Sequence, residues 1–191
     1  MSPPDNELGV TVPIRLLLAK TDALALAVTD VVAYSTGFAL RLVFKLHHDA
    51  KGVDPRQMMM QFRGGPMGGG EDRLRFGIEF SDGRKATNLG LRRPPEEPPP
   101  INLGMGGGGG GSGQGWSYAH WVYPLPPEGP ITIAIAWPHV DLPEKSVQFD
   151  AAPIIEAAAQ VEQLWDDDRP YGDETPPAAI SGGGHTVLER W

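Results

Sequence analysis

Residues 38–46 read Phe-Ala-Leu-Arg-Leu-Val-Phe-Lys-Leu, with a large apolar side chain at every even position and Arg41 and Lys45 between them. Successive side chains of a strand point to opposite faces of its sheet, so this two-residue period is typical of a strand with one buried and one solvated face. The same period recurs in residues 74–80 and 131–137. The sequence therefore predicts antiparallel strands in a sheet that is solvated on one side.

Turn signals connect these strands into hairpins. An alternating run that begins at Leu24 leads through Ser35-Thr36-Gly37 into the strand at 38–46, and Asp82-Gly83 supplies the positive backbone angles of a tight turn. Further strands are predicted at 10–20, 85–89, 115–125 and 147–149, and no helices alternate with them. We predict a mainly β fold, an antiparallel β-sandwich of the immunoglobulin-like or a related type.

One amphipathic helix is predicted after the strands. Pro153 suits the first turn of a helix, and Asp150 precedes it as a candidate cap. Four residues then recur at helical spacing on one face, namely Ile154, Ala158, Val161 and Trp165. We expect a C-terminal helix of about three turns packed against the strands.

Glycine and proline divide the chain into regions. The protein has 25 Gly and 20 Pro, and many of them lie between residues 91 and 115, where a run of prolines precedes six consecutive glycines. Such tracts favour polyproline geometry and flexible linkers, and they add little to a core. We therefore predict a flexible leader at 1–9, a single sandwich domain at 10–165 with a Pro/Gly-rich surface loop at 91–115, and an acidic disordered tail at 166–191.

Composition argues against several classes of function. The formal net charge of -8 repels a phosphate backbone, which argues against nucleic-acid binding. Without cysteine, the chain forms neither disulfides nor thiolate zinc sites. The longest apolar runs are of strand length, far short of the ~20 residues of a membrane-spanning helix, and the first residues lack the features of a secretory signal. We expect a cytoplasmic protein without a cofactor.

Catalytic signatures are weak in this chain. Gln114 stands where a Gly-x-Ser-x-Gly elbow around Ser112 needs its second glycine. The six glycines lack the lysine and the following helix of a phosphate-binding loop. These observations favour a protein that is not an enzyme.

Histidines are the remaining candidates for chemistry. His47 and His48 precede Asp49 where a predicted strand runs into a turn, and His139 and Asp141 share one face of an extended segment. If the strand ends converge, a metal ion could be held by residues drawn from His47, His48, His120, His139 and Asp141. Ordinary solvated turn residues are the simpler interpretation. The alternative function is a metal-dependent or other enzyme that uses these histidines.

The segment from Gly115 to Leu125 has the highest aromatic density of the chain. Its candidate binding residues are Trp116, Tyr118, His120, Trp121 and Tyr123. In a strand, the first three share one face and the last two the other, so one aromatic face is either exposed or covered by the helix. An exposed face would stack on sugars, prolines or cations, and a carbohydrate-binding module that uses Trp116 and Tyr118 is a further alternative. Packing against Trp165 of the helix is the interpretation we favour.

Two segments resemble a known group of proteins. They are Leu74-Arg-Phe-Gly-Ile-Glu-Phe-Ser-Asp-Gly-Arg84 and Trp121-Val-Tyr-Pro-Leu-Pro-Pro-Glu-Gly129, the second followed by an apolar strand that ends at Trp137. Together they resemble an uncharacterised protein family of high-GC Gram-positive bacteria, and the resemblance covers most of residues 10–165. It implies no activity, ligand or catalytic residue. The residues themselves favour a non-catalytic β-sandwich that acts by contact with another protein.

Overall fold

The computed structural model describes residues 2–50, 73–89, 100–112 and 114–166. Within these ranges the chain is mainly β and its strands pair antiparallel, as the alternating sequence predicts. The prolines at 94–99 and the acidic tail beyond Asp166 lie outside the described residues.

The described elements are strands, one α-helix and one short 3-10 helix. The strands are β1 (Glu7–Leu8), β2 (Val10–Val12), β3 (Leu16–Lys20), β4 (Leu24–Ala33), β5 (Phe38–Leu46), β6 (Arg75–Glu79), β7 (Lys85–Thr87), β8 (Asn102–Ser112), β9 (Gly115–Tyr123), β10 (Pro130–Trp137), β11 (Leu142–Asp150) and β12 (Glu162–Gln163). The α-helix is α1 (Ala152–Ala158), and the 3-10 helix is Pro138–Val140. Neither helix has the length and apolarity that crossing a membrane requires.

The larger sheet has the strand order β2-β4-β5-β9-β8, and β3 pairs with the part of β4 that β2 leaves open. The hairpin of β4 and β5 is the predicted one, with Leu24 opposite Leu46 and Ala33 opposite Phe38. A register shift between Val28 and Asp30 inserts a residue into β4. Because of this bulge, Val28 and Val31 both face inward although they are three positions apart.

The smaller sheet has the strand order β11-β10-β6-β7. Strands β6 and β7 form the hairpin predicted at Asp82-Gly83, where Gly83 has a φ of +84°. The Asp82 carboxylate accepts a hydrogen bond of 3.1 Å from the backbone N–H of Arg84 and so closes the turn. Strands β10 and β11 form a second hairpin, which lies on the other side of β6.

The buried faces of the two sheets contribute to one hydrophobic cluster. Phe44 of the larger sheet and Trp137 of the smaller sheet have ring centroids 5.2 Å apart. Phe76 of the smaller sheet stacks on His120 of the larger sheet at 5.1 Å. The contact between Phe44 and Trp137 places the last residues of β5 and β10 at the same end of the molecule.

The glycine tract differs from the prediction. Residues 102–112, expected as part of a flexible surface loop, form β8 at the edge of the larger sheet and pair with β9, with a register shift between Gly106 and Gly109. A Cβ atom at Gly111 would collide with the ring of Trp116, so glycine at this position lets the edge strand approach the indole. Glycine disfavours strands when it is considered alone. Here the hydrogen bonds to β9 provide the structure that the side chains do not.

Helix α1 is shorter than predicted. The N-cap is Ala151 rather than the predicted Asp150, and no side chain caps the helix, although the Asp150 carboxylate accepts a hydrogen bond of 3.0 Å from the N–H of Ala152. Ile154 and Ala157 are buried, but the helix ends at Ala158 and the chain then extends into β12. Trp165 therefore lies beyond the helix and is not a partner of the aromatic strand.

Candidate interaction surface

The inner face of the aromatic strand β9 packs against the smaller sheet rather than against α1. Trp116 lies in the core, where its ring stacks on Phe44 with centroids 5.4 Å apart. Tyr118 and Tyr123 are partly buried. A carbohydrate module would need the faces of Trp116 and Tyr118 to be accessible, and the stacking of Trp116 on Phe44 leaves this alternative without support.

His120 is a core residue in this structure. It is 8% exposed and stacks on Phe76, and desolvation by burial lowers its pKa from 6.5 to about 4. The imidazole is therefore neutral at pH 7. Its position in the core separates it from the histidines at the strand ends, with which the sequence had grouped it.

Trp121 lies on the opposite face of β9, away from the shared core, yet it is only 1% exposed. The edge of its indole meets Tyr34, with ring centroids 5.5 Å apart. Its Nε1–H is buried and has no hydrogen-bond acceptor among the described residues. Trp121 thus forms a second, smaller apolar contact on the outer face of the larger sheet.

The structure brings together only part of the predicted metal set. His47, His48 and Asp49 offer ligand atoms that lie within 4.8 Å of one another, and all three side chains are exposed. The backbone N–H of Asp49 donates to His47 Nδ1 at 3.2 Å, and His48 Nε2 lies 3.0 Å from a carboxylate oxygen of Asp49. Such a group can hold a divalent ion that prefers imidazole and carboxylate ligands.

The other two predicted ligands lie elsewhere in the described structure. His139 is part of the 3-10 helix after β10, and Asp141 follows it with a left-handed φ of 52°. Both belong to the same end of the molecule as His47, but their ligand atoms are not part of the group of three.

A feature that the sequence does not predict is a ribbon formed by residues 6–8, which include β1, and residues 162–165, which include β12. Glu7 pairs with Gln163 and Leu8 with Glu162, antiparallel, so residues of the predicted leader contact the segment that follows α1. Asn6 fastens the ribbon, because its side chain accepts from the N–H of Trp165 and donates to the carbonyl of Trp165, each at 2.9 Å. The sequence signal for this pairing is weak, since two-residue strands have no recognisable period.

Glu7 connects the ribbon to the body of the protein. Its carboxylate accepts hydrogen bonds from the backbone N–H of Ser35, at 3.0 Å, and from the Ser35 hydroxyl. Ser35 belongs to the turn between β4 and β5, so the ribbon is fixed beside one end of the larger sheet. Successive side chains of a strand point to opposite sides, so Leu8 lies on the opposite side of β1 from Glu7.

The ribbon concentrates exposed apolar surface. Among the described residues, four large apolar side chains are exposed, and three of them are on this ribbon: Leu8 at 57%, Leu164 at 46% and Trp165 at 61%. The fourth, Leu17, lies on β3 of the larger sheet. Scattered single leucines need no explanation, whereas a group of three on one small element is typical of a contact site.

The chain segments that contain the ribbon are acidic. Residues 2–14 and 146–166 include six acids, and the nearest basic residues along the chain are Arg15 and Lys145. The acids are Asp5, Glu7, Asp150, Glu156, Glu162 and Asp166. The ribbon segments therefore combine exposed apolar groups with an excess of negative charge.

Comparisons with known proteins add no function to this geometry. No family model, curated protein or solved structure matches the chain. The functional argument therefore depends on the contacts, burial and charges described above.

Proposed function

We propose that the protein is a non-catalytic β-sandwich that acts by binding another protein. The sandwich assignment is supported by the single core cluster and by the ring contacts between the sheets, Phe44 with Trp137 and Phe76 with His120. Each of the hairpins β4–β5, β6–β7, β8–β9 and β10–β11 stays within one sheet, and the connections between successive hairpins cross from one sheet to the other. This alternation supports an immunoglobulin-like or related sandwich.

The ribbon of β1 and β12 is the surface that we assign to this contact. The observation that supports this assignment is that three of the four exposed large apolar side chains among the described residues lie on the ribbon, which hydrogen bonds hold in place. Burying an exposed aromatic or aliphatic side chain at the centre of an interface is the usual source of binding energy. Because Asn6 and Glu7 fix the ribbon in advance, little further ordering opposes binding.

The charge of the ribbon defines the chemistry of the partner. A surface with an excess of negative charge attracts lysine and arginine and repels phosphate groups. Trp165 can in addition accept a cation over its ring, which contributes about 0.5–1 kcal/mol at an exposed site. The proposed partner is therefore a protein segment that carries both basic and apolar side chains.

Site-specific cross-linking tests this assignment. A photo-crosslinking amino acid is placed at Leu164 in one version of the full chain and at Leu17 in another, and both are irradiated in cells that naturally produce the protein. We expect a covalent adduct with one protein from position 164 and not from position 17, since both leucines are exposed but only Leu164 is on the ribbon.

The protein that is captured in the adduct is then purified, and its affinity for variants of the chain is the decisive measurement. Leu164→Ser combined with Trp165→Ser should weaken its affinity at least about tenfold, and Leu17→Ser should leave it unchanged. Equal adducts from both positions, or equal affinity of both variants, would contradict the assignment of the ribbon.

A second candidate function is favoured by the group of His47, His48 and Asp49. These three exposed side chains are positioned to share a divalent ion at the end of β5. This alternative function is metal binding by exposed side chains at a strand end, and the buried His120 is not one of the ligands.

A further inference from the structure

The outer face of the larger sheet, which points away from the shared core, contains a depression beside the ribbon segment. Cross-strand partners lie on the same face of a sheet, so the register defines rows that run across it. Two neighbouring rows cross β4, β5 and β9 here, one with Asp30, Arg41 and Ala119 and the other with Val32, Ala39 and Trp121. Each alanine is surrounded by longer side chains, so the surface is lowest over the two alanines.

A cavity of about 180 Å³ occupies this depression, and both alanines line it. Asp30, Arg41 and Tyr34 line it too, and Pro3 of the N-terminal segment covers part of it. The volume remains with Pro3 in place, so this residue encloses the space without filling it. A protein cavity of about 150 Å³ can bind benzene, so this one has room for a molecule of about six to nine non-hydrogen atoms.

Arg41 is positioned to bind an anion at the polar end of the cavity. Its Nε–H donates to the Asp30 carboxylate at 3.2 Å, and the Thr29 hydroxyl donates to the same carboxylate at 2.9 Å. Among the described residues, the terminal nitrogens Nη1 and Nη2 of Arg41 have no acceptor. A guanidinium that is held at Nε can still donate two parallel hydrogen bonds from these nitrogens to a carboxylate.

The charged groups are accessible from solvent. The side chains of Arg41 and Asp30 are 42% and 38% exposed. A dissolved ligand therefore reaches them without unfolding of the N-terminal segment.

The apolar part of the cavity is fixed in advance. The ring of Tyr34 meets the edge of Trp121, with centroids 5.5 Å apart. On the other strand, Gly9 lies so close that a Cβ atom there would meet the Tyr34 ring at 2.7 Å. Because both contacts hold Tyr34, little further ordering opposes the binding of a ligand against it.

We propose that this cavity binds a small monocarboxylate with a compact apolar body. The ligand carboxylate accepts hydrogen bonds from Nη1 and Nη2 of Arg41, and the apolar body lies over Ala39 and Ala119. Asp30 orients the guanidinium and cancels its net charge, which disfavours anions of higher charge such as phosphate.

The size of the cavity sets the expected affinity. A single bidentate ion pair that solvent reaches, together with a small apolar contact, supports only weak binding. We therefore expect a dissociation constant of about 0.1–1 mM for benzoate, which combines one carboxylate with one ring.

Titration of the full chain with benzoate, followed by nitrogen-15 NMR, tests the proposal. We expect the amide signals of Ala39, Arg41 and Ala119 to shift and to reach saturation. Benzamide has the same ring without the negative charge, so it should bind at least about tenfold more weakly. Inorganic phosphate should also bind more weakly than benzoate, because the Asp30 carboxylate repels it.

Three variants separate the guanidinium, the volume and the neighbouring charge. Arg41→Met should weaken benzoate binding at least about tenfold, whereas Lys45→Met, which removes an exposed cation from the same face of β5, should leave it unchanged. Ala119→Leu fills the cavity from the solvent side of the sheet, so it should abolish binding while the thermal midpoint stays near that of the wild type. Asp30→Asn keeps an oxygen acceptor for Arg41 and removes the negative charge, so it should strengthen binding about threefold.

Several results would overturn the proposal. They are benzoate that shifts none of the cavity signals, benzamide that binds as well as benzoate, equal effects of Arg41→Met and Lys45→Met, and binding that survives Ala119→Leu. If benzoate does not bind and Arg41→Met instead weakens the affinity of the captured protein, the carboxylate is an acidic side chain of that protein, and the assignment to a small ligand is wrong.

Discussion

Asn6 and Trp165 are 159 positions apart in the chain, and they are joined by two hydrogen bonds of 2.9 Å between the Asn6 side chain and the backbone of Trp165. A third hydrogen bond runs from the N–H of Leu164 to the carbonyl of Asn6, at 3.1 Å. An isolated two-stranded ribbon is marginally stable in water. The amide of Asn6 therefore has a larger share in holding β1 and β12 together than a surface side chain usually has.

Asn6→Ala tests this role. We expect faster hydrogen exchange at Glu162 and Gln163, whereas the global free energy of unfolding falls by less than about 1 kcal/mol, since the ribbon is exposed and outside the core. Exchange followed by mass spectrometry measures the first quantity and denaturant titration the second. Ser81→Ala is the matched control, because the Ser81 hydroxyl donates a comparable exposed hydrogen bond of 2.7 Å to the carbonyl of Glu128. If both variants change exchange at β12 equally, Asn6 has no special role there.

The long strands could be predicted from the sequence because their apolar side chains alternate without interruption. In β5, Leu40, Leu42 and Phe44 are buried and Arg41 and Lys45 face outward, as the two-residue period indicates. The period fails in β4, where a strict alternation from Val28 would turn Val32 inward. The bulge at Thr29 makes Val31 the buried residue instead, and a bulge leaves no regular signal in a single sequence.

Structures that depend on a distant partner could not be predicted. The glycines of β8 have no strand propensity of their own, and their strand exists because β9 offers backbone partners on both sides of a register shift at Gly106 and Gly109. The helical spacing of Val161 and Trp165 continued the pattern of α1 by chance, while pairing with Glu7 and Leu8 extends the chain there. For the same reason the sequence does not predict the ribbon, which is the candidate site. It assigns the residues of the ribbon to a flexible leader and to a helix instead.

The histidine group is a further case of partial prediction. His47, His48 and Asp49 are consecutive, so their proximity follows from the sequence. Whether His120 joins them depends on which face of β9 points to the core, and the sequence alone does not define that face. His120 faces the core, because it pairs with Leu40 of β5.

Gly37 should tolerate no side chain. A Cβ atom at this position would meet the carbonyl oxygen of Val122 and approach the ring of Trp121 to 2.8 Å. Neither the backbone of β9 nor the buried indole can move without loss of packing, so Gly37→Ala should lower the free energy of unfolding by about 1–3 kcal/mol. Urea titration measures this change.

Gly110→Ala is the control for that substitution, because a Cβ atom at Gly110 meets nothing within 4 Å. Its effect should lie within about 0.5 kcal/mol of zero or be slightly stabilising, since alanine reduces the entropy of the unfolded chain. Equal destabilisation by the two variants would show that the close approach at Gly37 is not what fixes glycine there.

The group of His47, His48 and Asp49 should bind zinc. Calorimetric titration of the purified chain with Zn²⁺ should show a single site, and His48→Ala should weaken it at least about tenfold, or about 1.4 kcal/mol, because one of three ligands is lost. His139→Ala removes a histidine at the same end of the molecule but outside the group, and it should leave binding unchanged. Zinc binding that survives His48→Ala would assign the ion to other residues.

His120 should make the protein less stable in acid. Burial lowers its pKa to about 4 in the folded state, against 6.5 in the unfolded chain. Between these values the unfolded state binds more protons, so the stability is fully present above pH 6.5 and is lost as the pH falls towards 4. At about 1.36 kcal/mol per pKa unit, the total loss from this residue is about 3 kcal/mol.

Urea titrations at several pH values between 7 and 4 measure this loss. His120→Leu places an apolar side chain of similar size against Phe76 and removes the titrating group. Between pH 7 and 4, the free energy of unfolding of this variant should fall by about 3 kcal/mol less than that of the wild type. His139→Gln, at a partly exposed site, should retain the pH dependence of the wild type. If His120→Leu shows the same decline as the wild type, the acid sensitivity comes from other groups and the imidazole is accessible to protons in the folded protein.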